Sequence, residues 1–469
     1  MDFRIESDSI GSKEVPAEAY YGVQTLRASE NFHITGYKLN TELVKSLVQI
    51  KKAAAIANYK AGLLNENIEK AIIEASDKIL GGNLQDQFIL DPIQGGAGTS
   101  ANMNANEVIA NEAIEILGGR KGDYSIVHPN DHVNMGQSTN DVFPTAGKIT
   151  ALKLLLKAIE KLKKLDMTLE IKAKEFNNII KMGRTQLQDA VPIRLGQEFK
   201  AYSSVIKRDI SRLEAAKKEL EVLNLGGTAI GTGINADNRY MNTVVPILSD
   251  IIGVQLEQAD DLIDATQNLD GFVSVSGAIK TCAVNLSKMA NDLRLMSSGP
   301  RTGLEEINLP PKQNGSSIMP GKVNPVIPEV MTQVAFNIIG NDVTITMAAE
   351  AGQLELNAFE PVIFFNLFES IETLTNAVKT FTENCISGIT ANTNRCKKLV
   401  DNSVGIVTAI TPYVGYEKAA SIAKNAIKTG KSVKEIILQN GILKKSELDR
   451  ILDPISMTEP KELKKYEFA

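Results

Sequence analysis

The sequence predicts an all-α chain organised around a bundle of five long helices. Three observations lead there. A length of 469 residues exceeds what one hydrophobic core fills and points to two or three domains. Alternating, strand-like patterns are few. Apolar residues instead recur at steps of three and four through five successive segments, the spacing of helices with a buried face.

The first segment, residues 145–176, carries Ile149, Leu152, Leu156, Ile159, Leu162, Leu165 and Leu169 on one face. Pro144 stands near its start, where a missing N–H costs little. The second, 196–223, carries Phe199, Tyr202, Ile206, Leu213 and Leu220, and the third, 260–296, carries Leu262, Leu269, Val273, Ile279, Leu286, Met289 and Leu293. The fifth, 362–389, carries Phe364, Phe368, Ile371, Leu374, Val378 and Phe381. At about 1.5 Å per residue each helix is roughly 40–55 Å long, so an elongated bundle is expected. The fourth segment, 328–356, is apolar on most sides (Val330, Val334, Phe336, Ile339, Val343, Met347). Such a helix must be surrounded, by its own bundle or by another subunit, and a homo-oligomer assembled through bundle helices is expected.

The flanks differ from this centre. Residues 1–138 read as an N-terminal domain of short helices and Gly/Pro/Asn-rich loops, 139–394 as the long-helix bundle, and 395–469 as a small C-terminal helical domain. In the last, Ser432–Glu435 and Ser446–Asp449 have the spacing of capped helix starts, and Asp453-Pro454 ends the second helix.

Bulk composition excludes several function classes. A net charge of −5 supplies no basic field for nucleic acid or an anionic membrane. The lysine clusters Lys161, Lys163, Lys164 and Lys461, Lys464, Lys465 read as solvated helix faces. Cys282, Cys385 and Cys396 lack CxxC spacing, so neither a zinc knuckle nor a disulfide framework is indicated, and reduced thiols of a cytoplasmic protein are expected. Residues 1–8 lack the pattern of a secretory signal, and apolar runs break before the length of a membrane span.

Polar residues gather in three loops. These are Gly95–Asn104 (GGAGTSANMN), His128–Asp141 (HPNDHVNMGQSTND) and Gly315–Pro325 (GSSIMPGKVNP). Each pairs glycine with Ser, Thr or Asn ahead of a helix, which presents main-chain N–H groups and hydroxyls at a positive helix end. That chemistry suits a carboxylate or phosphate. One such loop is equally well a turn with a helix cap; three feeding long helices point to a site. The third loop packs two hydroxyls, an ammonium and an amide into nine residues, and reads as a lid for an anionic guest. His128 and His132 are four residues apart, a spacing that could share a metal, but neutral, solvated or capping histidines are the expected reading. The Gly226–Gly233 stretch reads as a turn near the site, since it follows a helix rather than the strand a dinucleotide fingerprint requires.

The third loop resembles the hallmark segment of the aspartase/fumarase superfamily. Residues 14–22, 98–107, 137–141, 183–189 and 224–233 resemble further family segments in the same order, so the likeness covers nearly the whole chain. It implies a three-domain all-helical subunit, a homotetramer, and active sites built from three subunits. Fumarases carry Thr-His where this chain has Thr185-Gln186. That difference, with the aspartase-like segment 350–357, places the chain nearer the aspartase branch; fumarate hydratase is the alternative.

The implied reaction is reversible deamination of L-aspartate to fumarate and ammonia, by proton abstraction at C3 through an aci-carboxylate. It needs no organic cofactor and no metal, and the Ala-Ser-Gly tripeptide that other ammonia-lyases cyclise is absent. By resemblance, Thr99, Ser138, Thr139 and Ser317 hold the carboxylate next to C3. Thr185, Lys322 and Asn324 hold the other carboxylate, while Asn140 and Gln186 contact the amino group or line the site. Ser316 resembles the catalytic base. One cation at about 4 Å, with an effective dielectric near 20, is worth about 4 kcal/mol to an alkoxide. That is insufficient alone, so loop N–H groups must supply the rest.

Overall fold

A computed structural model describes residues 2–460, and the Lys461, Lys464, Lys465 cluster lies outside them. All five long helices form: Thr139–Glu175, Leu195–Ala216, Asp270–Met296, Val326–Glu350 and Glu360–Asn384. Among the described residues the strands make only two-stranded pairs. The chain is all-α, as the periodicity predicts.

Several boundaries differ from expectation for physical reasons. The first long helix starts at Thr139, ahead of Pro144, so this proline lies inside the helix. Its missing N–H would have bonded the Asn140 carbonyl. That carbonyl accepts instead from Asn224 Nδ2 at 3.0 Å. The second helix stops at Ala216, and a tighter turn, Lys217–Leu220, leads into a two-residue strand, Val222–Leu223, paired in parallel with Glu257–Gln258. The Gly226–Gly233 stretch therefore follows a short strand, correcting the expectation of a helix before it; no helix opens until Asn238. The third segment divides because Asp261 caps a separate six-residue helix, Leu262–Gln267.

The N-terminal helices are longer than expected. Thr41–Lys60 has 20 residues and Thr99–Ile116 has 18. The latter begins at Thr99, so half of the anticipated first loop is helix. Near the C-terminus, Ser432 and Glu435 make the expected capping box. The next helix begins two residues early: Glu447 accepts from the Lys444 N–H at 3.0 Å, which leaves Ser446 inside the helix.

The chain divides into two compact units, residues 1–159, 211–283 and 336–374 in the first, and 160–210, 284–335 and 375–469 in the second. Phenylalanines seated in glycine sockets knit the first. The Phe364 ring packs on Phe143 and Phe272 (centroids 5.1 Å apart in each case) and stacks on Phe368. A Cβ on Gly147 would meet Phe364 at 2.1 Å, and one on Gly98 would meet Phe143 at 2.3 Å. In the second unit, Phe199 packs edge-on against Phe176 and Tyr202. Its C-terminal helices enclose a core of Val400, Ile410, Ile422, Ile437 and Leu448, to which Met182 of the Ile180–Thr185 strand also belongs.

On the fourth long helix Met331, Ala335, Ile338 and Ile345 are buried, while Val330, Phe336, Val343 and Met347 form an exposed apolar stripe. Within one chain this helix is covered on one side only. No helix among the described residues is long and apolar enough to cross a membrane.

Filling the Gly147 socket is expected to overpack the Phe364 cluster. Gly147→Ala should cost about 1–3 kcal/mol, read as a lower urea midpoint at unchanged slope. An unshifted midpoint would mean that the ring moves aside freely.

Candidate active site

The residues singled out from the sequence fall into two groups, one in each unit; the first ranges from buried Thr139 to exposed Thr99, and the second is half-buried to exposed. In the first, the backbone is left-handed at Gly96, Ala97 and Gly98 (φ 90°, 54° and 84°). This crank delivers Thr99 to the N-terminus of its helix, exposed, directly above the Gly98–Phe143 contact.

Ser138, Thr139 and Asn140 open the first long helix, and their surroundings decide which way their protons point. Thr139 is buried and its Oγ1 accepts from Asn102 Nδ2 at 3.2 Å. Ser138 Oγ accepts from the Asn140 N–H at 3.3 Å. Each hydroxyl thus has an acceptor site filled by the protein and keeps its O–H for a guest that accepts. Asn140 Nδ2 donates to the Ala229 carbonyl at 2.7 Å, so part of this amide is committed to the neighbouring loop.

Asp141 fixes this segment. Its carboxylate is fully buried and accepts from the N–H groups of Ser138 (2.9 Å), Gly226 (2.9 Å) and Thr228 (3.0 Å). Burial pushes its pKa up to about 6, against the opposing pull of those donors and of Lys51. Thr228 is β-branched yet sits at φ 55°, a strained conformation, and its N–H is one of the three that Asp141 holds. Beneath the same segment lies Lys51, also fully buried. It donates to Asn134 Oδ1 (2.8 Å) and Gln137 Oε1 (2.9 Å), and burial lowers its pKa to about 7.

In the second unit, Thr185 and Gln186 lie at the tip of a hairpin joining Ile180–Thr185 to Gln188–Arg194. Gln186 and Leu187 make the two-residue turn with φ 53° and 63°. Turns of this kind favour Asn-Gly, and each non-glycine residue here costs about 1–2 kcal/mol. The strands are anchored just behind the turn: Arg184 bonds the fully buried Glu306 at 2.8 Å, and Ser403 donates to Asp189 at 2.7 Å.

The loop from Gly315 to Pro325 closes on itself. The Gly315 N–H donates to the Lys322 carbonyl (2.7 Å), and Asn324 Nδ2 donates to the Gly315 carbonyl (2.9 Å). Asn324 is therefore a structural tie as well as a candidate ligand. At the centre, Ser316 Oγ accepts from the N–H groups of Ile318 (3.2 Å) and Met319 (3.0 Å). Ser317 and Lys322 are exposed, as is Ile318 at 82%. A Cβ on Gly315 would lie 2.8 Å from both the Lys322 carbonyl and the Asn324 nitrogen, so only glycine allows this closure.

The histidines act as caps on each other's turn. His128 Nδ1 accepts from the N–H groups of Asn130 and Asp131, and His132 Nδ1 accepts from the His128 N–H. Among the described residues no cluster of three or more His, Cys, Asp or Glu is arranged to hold a metal.

With this geometry established, likeness to known proteins becomes informative. A family model described as Lyase matches residues 11–340, and one described as Fumarase C C-terminus matches residues 406–459. The chain belongs to the aspartase/fumarase lyase family. Within that family it is 57% identical over 459 residues to an aspartate ammonia-lyase of Bacillus subtilis (strain 168), covering 98% of this chain and 97% of that one. Its fold matches a fumarate lyase:delta crystallin from Brucella melitensis bound to cobalt (TM-score 0.95, 51% identity, 98% of this chain and 100% of that one). It also matches a class II fumarase from Schistosoma mansoni (TM-score 0.94, 36% identity, 98% and 100%).

Lys51, Asn102, Asn134, Gln137 and Asp141 were not among the residues the sequence proposed. Four of them lie inside the flagged loops. Lys51 carries no local signal, since Lys52 beside it is an ordinary surface lysine paired with Asp77.

The closure at Gly315 can be tested apart from catalysis. Gly315→Ala should accelerate proteolytic cleavage between residues 315 and 325 several-fold while the thermal midpoint hardly moves. Unchanged cleavage would mean that the loop tolerates a Cβ there.

Proposed function

We propose that this chain is an aspartate ammonia-lyase, converting L-aspartate reversibly to fumarate and ammonia. The observation that carries the reading is Ser316 Oγ receiving two main-chain N–H donors in a self-closed loop, with Ser317, Lys322 and Asn324 on the same loop. A hydrogen bond to a charged oxygen contributes about 1.5–3 kcal/mol, so two donors add about 3–6 kcal/mol towards an alkoxide. Together with a nearby cation this is the stabilisation that lets a serine ionise, so that its alkoxide can take the C3 proton.

Removing that proton drives a second negative charge onto the adjacent carboxylate. Thr99, Ser138, Thr139 and Ser317 are its proposed donors, and Ser138 and Thr139, which accept within the protein, each keep a proton to donate, which supports this. Preorganised neutral donors of that kind stabilise the aci-carboxylate more than the ground state. Thr185, Lys322 and Asn324 take the second carboxylate, and Asn140 and Gln186 border the amino group. Identity of 57% to an aspartate ammonia-lyase, against 36% to a fumarase, favours ammonia over water as the leaving group.

The reading extends to assembly. The exposed Val330, Phe336, Val343 and Met347 stripe is the surface through which we infer that subunits join, as a homotetramer of three-domain subunits (1–138, 139–394, 395–469) sharing active sites. A cytoplasmic location agrees with three buried cysteines that form no disulfide among the described residues.

The assay follows fumarate by its ultraviolet absorbance, with L-aspartate and then with L-malate. Fumarate from aspartate supports the reading; fumarate from malate alone makes the chain a hydratase. Ser316→Ala should lower turnover by orders of magnitude without changing the oligomeric mass, and near-normal turnover would remove Ser316 as base. Lys322→Ala should raise KM sharply. Introducing charge by Phe336→Asp together with Met347→Asp should reduce the mass seen by light scattering, and an unchanged mass would place the interface elsewhere.

A further inference from the structure

The buried ammonium of Lys51 has a structural oddity that the reaction above leaves unused. Among the described residues, no carboxylate forms an ion pair with it; its partners are two neutral amide oxygens, on Asn134 and Gln137. A cation held this way bears a desolvation penalty with little direct return, which calls for a reason.

The hydrogen-bond polarity supplies one. An ammonium only donates, so Asn134 must turn its oxygen towards Lys51. That oxygen then attracts donors, and Asn102 Nδ2 and Asn106 Nδ2 both reach it at 3.2 Å. The amide oxygens of Asn102 and Asn106 are left buried without partners, so convergence on Asn134 wins over their own satisfaction. The second proton of Asn102 Nδ2 goes to Thr139 Oγ1. Thr139 then keeps its own proton to donate.

We propose that Lys51 is a positioning residue, whose N–H groups set the donor role of Thr139 through Asn134 and Asn102, and whose charge, completed when an anion binds, stands beneath the carboxylate formed in the reaction. This rests on the lyase reading above and deepens it. Asp141 is the charged group facing Lys51 and raises its proton affinity. Helix Thr99–Ile116 and the turn at Pro129–Val133 present the neutral amides of Asn102, Asn106 and Asn134, and helix Asn238–Ile252 places Tyr240 near Asp141. With burial holding the lysine near its titration point, an anion bound above it draws a proton onto it.

The test uses the full-length wild-type protein and three substitutions. Fumarate is titrated calorimetrically at about pH 8 in buffers of differing ionisation enthalpy; the wild type should take up protons on binding, and Lys51→Met should not. Lys51→Met should lower kcat at least about tenfold, with a smaller change in KM. Thr139→Val should be costly alone and nearly silent in the Lys51→Met background, because the two act in one chain. Should Lys51→Met fail to fold, Asn102→Asp keeps the buried cation and replaces the donor facing Thr139 with an acceptor. It should lower kcat likewise at unchanged thermal midpoint. A wild type that binds fumarate without proton uptake, or additive effects of the paired substitutions, or full kcat in folded Asn102→Asp, would each overturn the proposal while leaving the lyase reading intact. A wild type inactive on aspartate would defeat both.

Discussion

Asp141 is the constraint on which the rest of the buried polar cluster in the first unit depends. A carboxylate with no access to water must find its donors in the protein, and this one finds three main-chain N–H groups on two different loops. Satisfying it draws the start of the first long helix onto the Asn224–Thr228 turn. Once there, other exchanges fall into place. Asn140 gives its amide to Ala229, and Asn224 takes the carbonyl that Pro144 releases. The strained backbone at Thr228 persists because its N–H is one of the three that the carboxylate requires. Glu107 does the same further out: fully buried, with its pKa raised by burial to about 7, it gathers the N–H groups of Gly22, Gln24 and Thr25 and pins the N-terminal segment to its helix.

The apolar core works to the same end. Phe143 lies two residues after Asp141, and its ring fills the space that a Cβ on Gly98 would need. The residue after Gly98 is Thr99. A single aromatic contact therefore ties the two polar loops of the first unit to each other, and the Phe143–Phe364–Phe272 cluster extends that tie into two more long helices. Long helices supply stiffness, and sockets at Gly98 and Gly147 convert that stiffness into fixed hydroxyl positions.

What was legible in the sequence follows from which forces leave a periodic trace. The five long helices bury one face, so Leu152, Leu162 or Ile371 recur at helical steps and announce them. Helix Thr99–Ile116 is buried almost throughout, with asparagines where leucines are usual, so it has no stripe to detect and looked like a loop. Ser316, Lys322 and the hydroxyl loops were visible because Gly, Ser, Thr and Asn gathered ahead of helices form an unusual composition. Lys51 was not, because a lysine in a helix has the same letter whether it faces water or a cage of amides. The turn at Gln186 and Leu187 was equally silent, since neither residue favours the left-handed region that the hairpin imposes.

That hairpin marks a difference between the two units. In the first, Thr139 and Asp141 are buried and hydrogen-bonded, whereas in the second Thr185, Gln186, Ser317 and Lys322 are exposed. In the second unit order comes from anchors beside the exposed tips: Arg184 on buried Glu306, Ser403 on Asp189, Asn324 on Gly315. Strain at a turn survives only where such anchors over-determine it, and it concentrates at functional positions. Gln186 and Leu187 each cost about 1–2 kcal/mol at positive φ, and the turn persists because the residue pair just behind it, Arg184 and Asp189, is held from outside the hairpin by Glu306 and Ser403.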